Sequence, residues 1–191
     1  IRPGLPWVDV KHLGEDVRIM RIQDTQHKLT GDFTKTSRPC PEFCIHPIVV
    51  APGVETWGEL ELLDFMSKDV AQNKGLVLDA RLPDFHKVET IPTSINMPFT
   101  VIKADNPHIG QILIALGATQ DSAKRWHFEQ AKTLAIWCNG PWCDQSSLAI
   151  KALLQMGYPA NRLKYYRGGM QSWKMLGLTT VVPPKRNPKA D

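Results

Sequence analysis

The stretch TLAIWCNGPWCDQSSLAIKALLQM, residues 133–156, reads as three consecutive units. TLAIWC is a short, wholly apolar run and predicts a strand buried on both faces. SSLAIKALLQM repeats its apolar residues at helical spacing and meets Gly157, a helix stop. Between them, NGPWCDQ supplies turn residues, with Gly140 giving freedom and Pro141 stiffness. A strand that turns directly into a helix belongs to an open α/β sheet, where ligands bind beyond the carboxyl ends of the strands. Cys138 stands at that end. The N-terminus of the following helix favours an anion there, and successive loop N–H groups can converge on one atom. A thiol so placed has a depressed pKa and is a nucleophile near neutral pH. A small apolar residue ending a buried strand accounts for Cys138 just as well. It does not account for Cys143, five residues on in a polar turn.

The same alternation extends in both directions. Upstream, Thr56 and Glu59 suit a capping box ahead of Leu60, Leu63 and Met66. LVLD, residues 76–79, predicts a second buried strand, and Asn106-Pro107 predicts a helix start with Gly117 as its stop. Downstream, LKYY, residues 163–166, predicts a third strand, and Gly168-Gly169 leads into a short helix ending near Gly177. Strands and helices in alternation with short connections predict a doubly wound α/β fold on a mainly parallel sheet.

Residues 1–52 have a different texture. DVRIMRIQD, with Val17, Ile19 and Ile22, suits a strand, and residues 34–52 hold four prolines and two cysteines in an irregular connection. A small β-rich or extended N-terminal region is expected there, followed by the α/β domain over 53–182 and a basic tail over 183–191, with Lys185, Arg186 and Lys189. With 191 residues, 42% hydrophobic and 22% charged, the chain can bury a core of its own. No apolar run reaches about eighteen residues, so no spanning helix and no membrane partner are expected. The net charge of +4 is unaccompanied by basic blocks with interleaved aromatics, which argues against nucleic acid. The six histidines show no ligand spacing. The first residue is Ile1, so an upstream segment removed by processing is an expectation. The paired cysteines Cys40/Cys44 and Cys138/Cys143 suit an oxidising, periplasmic or otherwise extracytoplasmic compartment, although metal binding or cytosolic redox work would use the same count.

Three ordered motifs resemble the rhodanese-like family over about residues 53–182. LVLDARLPDF…IPTSINMP is similar to its first signature, with Asp79, Arg81, Pro83, Ile91, Pro92, Asn96 and Pro98 at the family's relative spacing. TLAIWC resembles the strand that delivers its active-site cysteine, and YYRGGMQSW its closing Gly-Gly-x-x-x-Trp segment. The resemblance implies a rhodanese-like doubly wound domain that moves a sulfane sulfur through a persulfide on Cys138. It implies no organic cofactor. Its partners would be a small sulfur-containing donor such as thiosulfate, polysulfide or persulfide, and a thiol acceptor, either of which could be protein-borne. Backbone groups of Asn139, Gly140, Trp142, Cys143 and Asp144 would hold the terminal sulfur. Apart from the resemblance, Arg167 beside Gly168-Gly169 either faces the pocket or is a solvated surface residue, and Cys143 is a candidate resolving thiol.

The departures bear on the donor. The loop is about two residues longer than in a single-domain sulfurtransferase. It carries Asp144 where a basic residue is common, and a carboxylate there would disfavour an anionic donor by about 1–4 kcal/mol. Rhodanese-related phosphatases have loops of similar length but end them with an arginine, and none lies between Cys138 and Lys151. Asp79 and Arg81 read more readily as an ion pair fixing the strand end than as catalysts. Three rivals remain at this level: a dithiol redox or sulfur-trapping site, a four-cysteine zinc site with C-x3-C and C-x4-C spacing, and a non-catalytic binding module.

Overall fold

The computed structural model describes residues 1–184, so the basic tail residues Lys185, Arg186 and Lys189 lie outside the described part. Strands β1 (Trp7–His12) and β2 (Glu15–Met20) form an antiparallel hairpin. The body follows as β3 (Glu55–Trp57), α1 (Glu59–Phe65), β4 (Gly75–Asp79), α2 (Pro83–His86), β5 (Ile95–Asn96) and α3 (Ile109–Ala115). A minor antiparallel pair, β6 (Thr119–Gln120) and β7 (Trp126–His127), precedes β8 (Thr133–Trp137), α4 (Gln145–Gln155), β9 (Leu163–Tyr166) and α5 (Gly169–Met175).

Five strands make one sheet in the order β3-β9-β8-β4-β5, and every pairing in it is parallel. The reversal of direction at the centre is the doubly wound arrangement the alternation predicts. β8 is central because its sequence offers apolar side chains to both faces. Leu134 and Ile136 join the core under α3 and α4, with Leu113, Ile150, Leu153 and Tyr158. Ala135 and Trp137 point the other way, into a second core with Leu63 and Met66 near α1 and Met170 and Trp173 of α5. Trp137 and Trp173 are fully buried. Truncating such a side chain costs about 3–5 kcal/mol, so both indoles are cornerstones of that layer.

The hairpin belongs to the same packing unit. Val8, Val10 and Ile19 enter the second core beside Leu62 and Leu63. A lone hairpin is marginal in water; three buried aliphatic side chains at about 1.5–3 kcal/mol each are enough to hold this one on the body. Met20 and Arg21 then pair with Thr179 and Leu178, tying the hairpin to the end of the domain.

Local starts differ in two places from the sequence expectation. Gly58, not Thr56, caps α1, with the Glu61 carboxylate accepting its N–H at 3.0 Å. Thr56 lies within β3 and its hydroxyl donates to the Ile48 carbonyl. The Asn106 side chain accepts the His108 N–H at 2.9 Å in a turn, and α3 starts at Ile109. Leu60 is exposed, while Leu62, Leu63, Phe65 and Met66 carry the burial.

Candidate active site

β8 ends at Trp137, so Cys138 is the first residue of the turn rather than the last of the strand. The Trp137 indole donates to Ser94 Oγ at 3.0 Å, fixing that end. The turn closes on itself through Cys143 N–H to Gly140 O, 2.9 Å, and α4 begins with Leu148 N–H on Asp144 O, 2.8 Å. From below, Met170 N–H donates to Cys138 O at 3.0 Å and Gln171 N–H to Asn139 O at 2.8 Å. This approach requires Gly169. Its φ is +54°, and a Cβ there would stand 2.2 Å from Cys138 O. The Gly-Gly pair is therefore the seat on which the cysteine turn rests.

Cys138 is only 2% exposed, and Cys143 only 4%. Ser146 Oγ donates to Cys138 Sγ at 3.0 Å, and Cys143 O lies 3.2 Å away. Burial pushes the Cys138 thiol up. The side chains of Cys143 and Ser146, followed by the N–H groups of Ser146 and Gly140, outweigh it, and the pKa falls below the ordinary thiol value. The hydrogen bond to Cys138 and then burial push Cys143 far above that value. Of the two thiols, Cys138 is thus the one that ionises more readily. Burial and the charge of Cys138 push the Tyr165 phenol up to about 12, and its hydroxyl lies buried without a hydrogen-bond partner among the described residues.

A buried ion pair supports the turn from the side. Arg81 Nε and Nη2 donate to Asp79 Oδ1 and Oδ2 at 2.9 and 2.7 Å, and Nη1 reaches Asn139 Oδ1 at 3.3 Å. Thr90 Oγ1 donates to Asp79 Oδ2 at 3.0 Å, and His86 Nδ1 lies at the same distance. Burial raises the Asp79 pKa, but these partners hold it below the usual carboxylate value. With both charges buried and mutually satisfied, the pair orients Asn139 and does not reach the sulfur.

The fourth wall comes from the N-terminal region. The guanidinium of Arg38 lies 3.6 Å over the Trp142 ring, and Phe43 meets the same ring edge-on at 5.5 Å. His46 N–H donates to Pro141 O at 2.9 Å, and Gln171 Nε2 donates to Phe33 O at 3.0 Å. Cys40 and Cys44 are joined in a disulfide within this segment. Between the segment and the body lies a cavity of about 700 Å³, whose wall includes Asn139, Trp142, Cys143, Asp144, Phe33 and Phe85.

Of the residues singled out from sequence, Cys138, Asn139, Gly140, Trp142, Cys143 and Asp144 are brought together here. Three expectations change. Arg167 does not line the cavity: its Nε and Nη2 donate to the His46 carbonyl at 3.1 and 2.6 Å, so it fastens the N-terminal segment. The Cys143 N–H is taken by Gly140 O, and the hydrogen bond that the sulfur accepts comes from the Ser146 hydroxyl. Cys143 is buried against Cys138, not set on a rim, because the turn folds back over the thiol. A four-cysteine zinc site is also not what the chain builds, since Cys40 and Cys44 are bonded to each other. Ser146, Arg38, Phe33 and Phe43 were missed. A serine in the first turn after a cysteine loop is a usable signal for Ser146; for the other three the sequence offers none.

The family model for the rhodanese-like domain matches residues 61–176. No curated protein sequence matches the chain. Among solved structures, the chain is similar to a rhodanese-related protein of Thermoplasma volcanium, at 23% identity and TM-score 0.45, over 68% of this chain and 99% of that one. It is similar to the human single-domain sulfurtransferase at 18% identity and TM-score 0.44, over 64% of this chain and 96% of that one. A third likeness is to a Rhodopseudomonas palustris protein described as of unknown function, possible tyrosine phosphatase, at 18% identity and TM-score 0.48, over 69% and 88%.

Proposed function

The chain belongs to the rhodanese-like domain family, and on that premise we propose that it is a sulfurtransferase working through a persulfide on Cys138. One observation carries the reading: a buried cysteine directly after the central strand whose sulfur accepts a hydrogen bond from Ser146 Oγ at 3.0 Å, in the first turn of the following helix. The thiolate attacks the outer sulfur of a persulfide R–S–SH. The donor's S–S bond breaks, R–S⁻ leaves, and Cys138 becomes Cys–S–SH. An acceptor thiolate then attacks that outer sulfur and returns Cys138 to its thiolate. The cradle donors serve both steps because each begins or ends with negative charge at one place.

Cys143 supports a second reading, sulfur trapping. Deprotonated, it would attack Cys138 Sγ of the persulfide, form a Cys138–Cys143 disulfide and expel HS⁻. In the persulfide the negative charge sits on the outer sulfur, one bond further from Cys143 than in the resting thiolate, and Cys143 must lose its proton before it attacks. The Cys40–Cys44 disulfide supports an oxidising, extracytoplasmic setting for either reading.

Intact-mass measurement after treatment with thiosulfate, inorganic polysulfide and cysteine persulfide tests the assignment. A single adduct of about +32 Da, mapped to Cys138, is expected from at least one donor. Failure of all three to load Cys138 in folded protein overturns sulfur transfer.

A further inference from the structure

The cavity is walled by Asn139 and Cys143, with Cys138 buried behind them, and is built for something other than a small inorganic anion. Six apolar side chains shape it: Phe33 and Phe43 from the N-terminal segment, Leu82, Phe85 and Val88 around α2, and Trp142 from the cysteine turn. Its volume of about 700 Å³ lies within the range of pockets that enclose organic ligands, about 300–1,000 Å³. Three cations line it, and each is already engaged. Arg81 is paired with buried Asp79, and Lys174 with Glu89. Arg38 donates to the carbonyls of Asp32 and Lys35, at 2.6 and 3.2 Å, while its face covers Trp142. Five carboxylates line the same space, those of Asp32, Glu42, Asp84, Glu89 and Asp144. Asp32, Asp84 and Glu89 are themselves paired with Lys35, Lys87 and Lys174. The unpaired charges among the described residues of the wall are Glu42 and Asp144 against Arg38, whose own partners are neutral carbonyls, so a dianion such as thiosulfate would meet two carboxylates for one cation.

Resting on the sulfur-transfer reading, we infer that the sulfur donor is an organic persulfide with a bulky apolar body, preferably aromatic, which the N-terminal segment and α2 clasp together. The body lies among Phe33, Phe43, Phe85 and Trp142. Its two sulfur atoms project past Cys143, which both lines the cavity and touches Cys138. Such a donor suits a thiol that is almost fully buried, because only the narrow S–S end has to reach it. The N-terminal region is then a specificity element. Two of the four aromatic groups come from it, and Arg167, Gln171 and Pro141 hold it against the site.

Benzyl persulfide and cysteine persulfide, compared as donors at equal concentration, test the inference, with the rate of Cys138 loading read by mass. Non-reactive benzyl methyl sulfide provides a separate binding measurement through Trp fluorescence. Benzyl persulfide should load about tenfold faster in kcat/KM, the gain expected from removing one aromatic ring from water. Phe85→Ala, at an exposed position of α2, and Phe43→Ala, on the N-terminal segment, should each bring that ratio below about three and weaken benzyl methyl sulfide binding in parallel. Equal loading by the two persulfides, with no binding of the sulfide, overturns the inference while leaving sulfur transfer intact. Binding of the sulfide that Phe85→Ala weakens, with no loading by any donor, overturns sulfur transfer and supports the apolar pocket.

Discussion

The two cysteine pairs have nearly the same spacing and opposite chemistry. Cys40 and Cys44 lie on a loop at the surface, without regular structure around them, and are joined in a disulfide. Cys138 and Cys143 are both buried and both free, the first favoured as a thiolate and the second as a thiol. Three or four intervening residues let either pair close. What separates them is the surrounding field. The Ser146 hydroxyl, in the first turn of α4, donates to Cys138, whereas the Cys40–Cys44 loop offers its sulfurs no such donor among the hydrogen bonds described. A reactive cysteine is made by its surroundings, and those are set by the strand it follows.

Four substitutions sharpen this contrast, taken from the largest effect downward. Cys138→Ser should lower transfer by more than about 10³-fold, as loss of a nucleophile does. Its melting temperature should stay close to wild type because the hydroxyl fits the same space. A Cys138→Ser variant that still transfers sulfur would move the chemistry to another residue.

Ser146→Ala removes a hydrogen bond to a charged acceptor, worth about 1.5–3 kcal/mol, or about one to two pH units in the thiol pKa. The sign follows from which form loses its partner. The thiolate is destabilised, the pKa rises toward the ordinary value, and loading near pH 7 falls by about tenfold. Above the raised pKa the thiolate returns, so the loss should shrink and then vanish as pH rises past the ordinary thiol value. An equal deficit at all pH values would mean that Ser146 acts on structure alone.

Cys143→Ser keeps a proton donor beside Cys138, so the persulfide should still form. It should last several-fold longer once donor is exhausted, because the internal acceptor is gone. Wild type should drift instead toward a Cys138–Cys143 disulfide, visible by non-reducing peptide mapping. Identical lifetimes would remove Cys143 from the fate of the persulfide.

The paired change Cys40→Ser with Cys44→Ser should have the smallest effect on chemistry. Opening so short a loop costs about 2 kcal/mol on the chain-entropy account. The cost should appear in denaturant unfolding and, through looser Arg38 and Phe43, as a few-fold rise in KM for an apolar donor. A Cys138 thiol pKa that moved with it would show that the two pairs are coupled.

Much of the body could be read in one dimension, because strands and helices there obey local rules. LVLD and TLAIW are apolar on both faces, and LKYY is so except at Lys164, as suits interior parallel strands, which all three are. Gly117, Gly157 and Gly177 end helices with positive φ, as helix stops should. The strand partner of DVRIMRIQD was not evident, since WVDVKH alternates over too few residues to stand out before its pairing is known.

The site divides along the same line. Sequence alone determined the position of the candidate cysteine, the turn that carries it and the Gly-Gly segment beneath, because these rest on residue type and near-neighbour spacing. Only the tertiary structure decided which groups answer that sulfur and which face the cavity. Arg167 and Arg38 show why. Both are long cations, and nothing local says where either head group lands. Arg167 sits two elements from Cys138 in sequence, yet spends its donors on His46, while Arg38, a hundred residues upstream, covers Trp142. Contacts of that kind arise when a flexible segment is pressed against a folded body, and their energies depend on burial and geometry that no window of sequence contains.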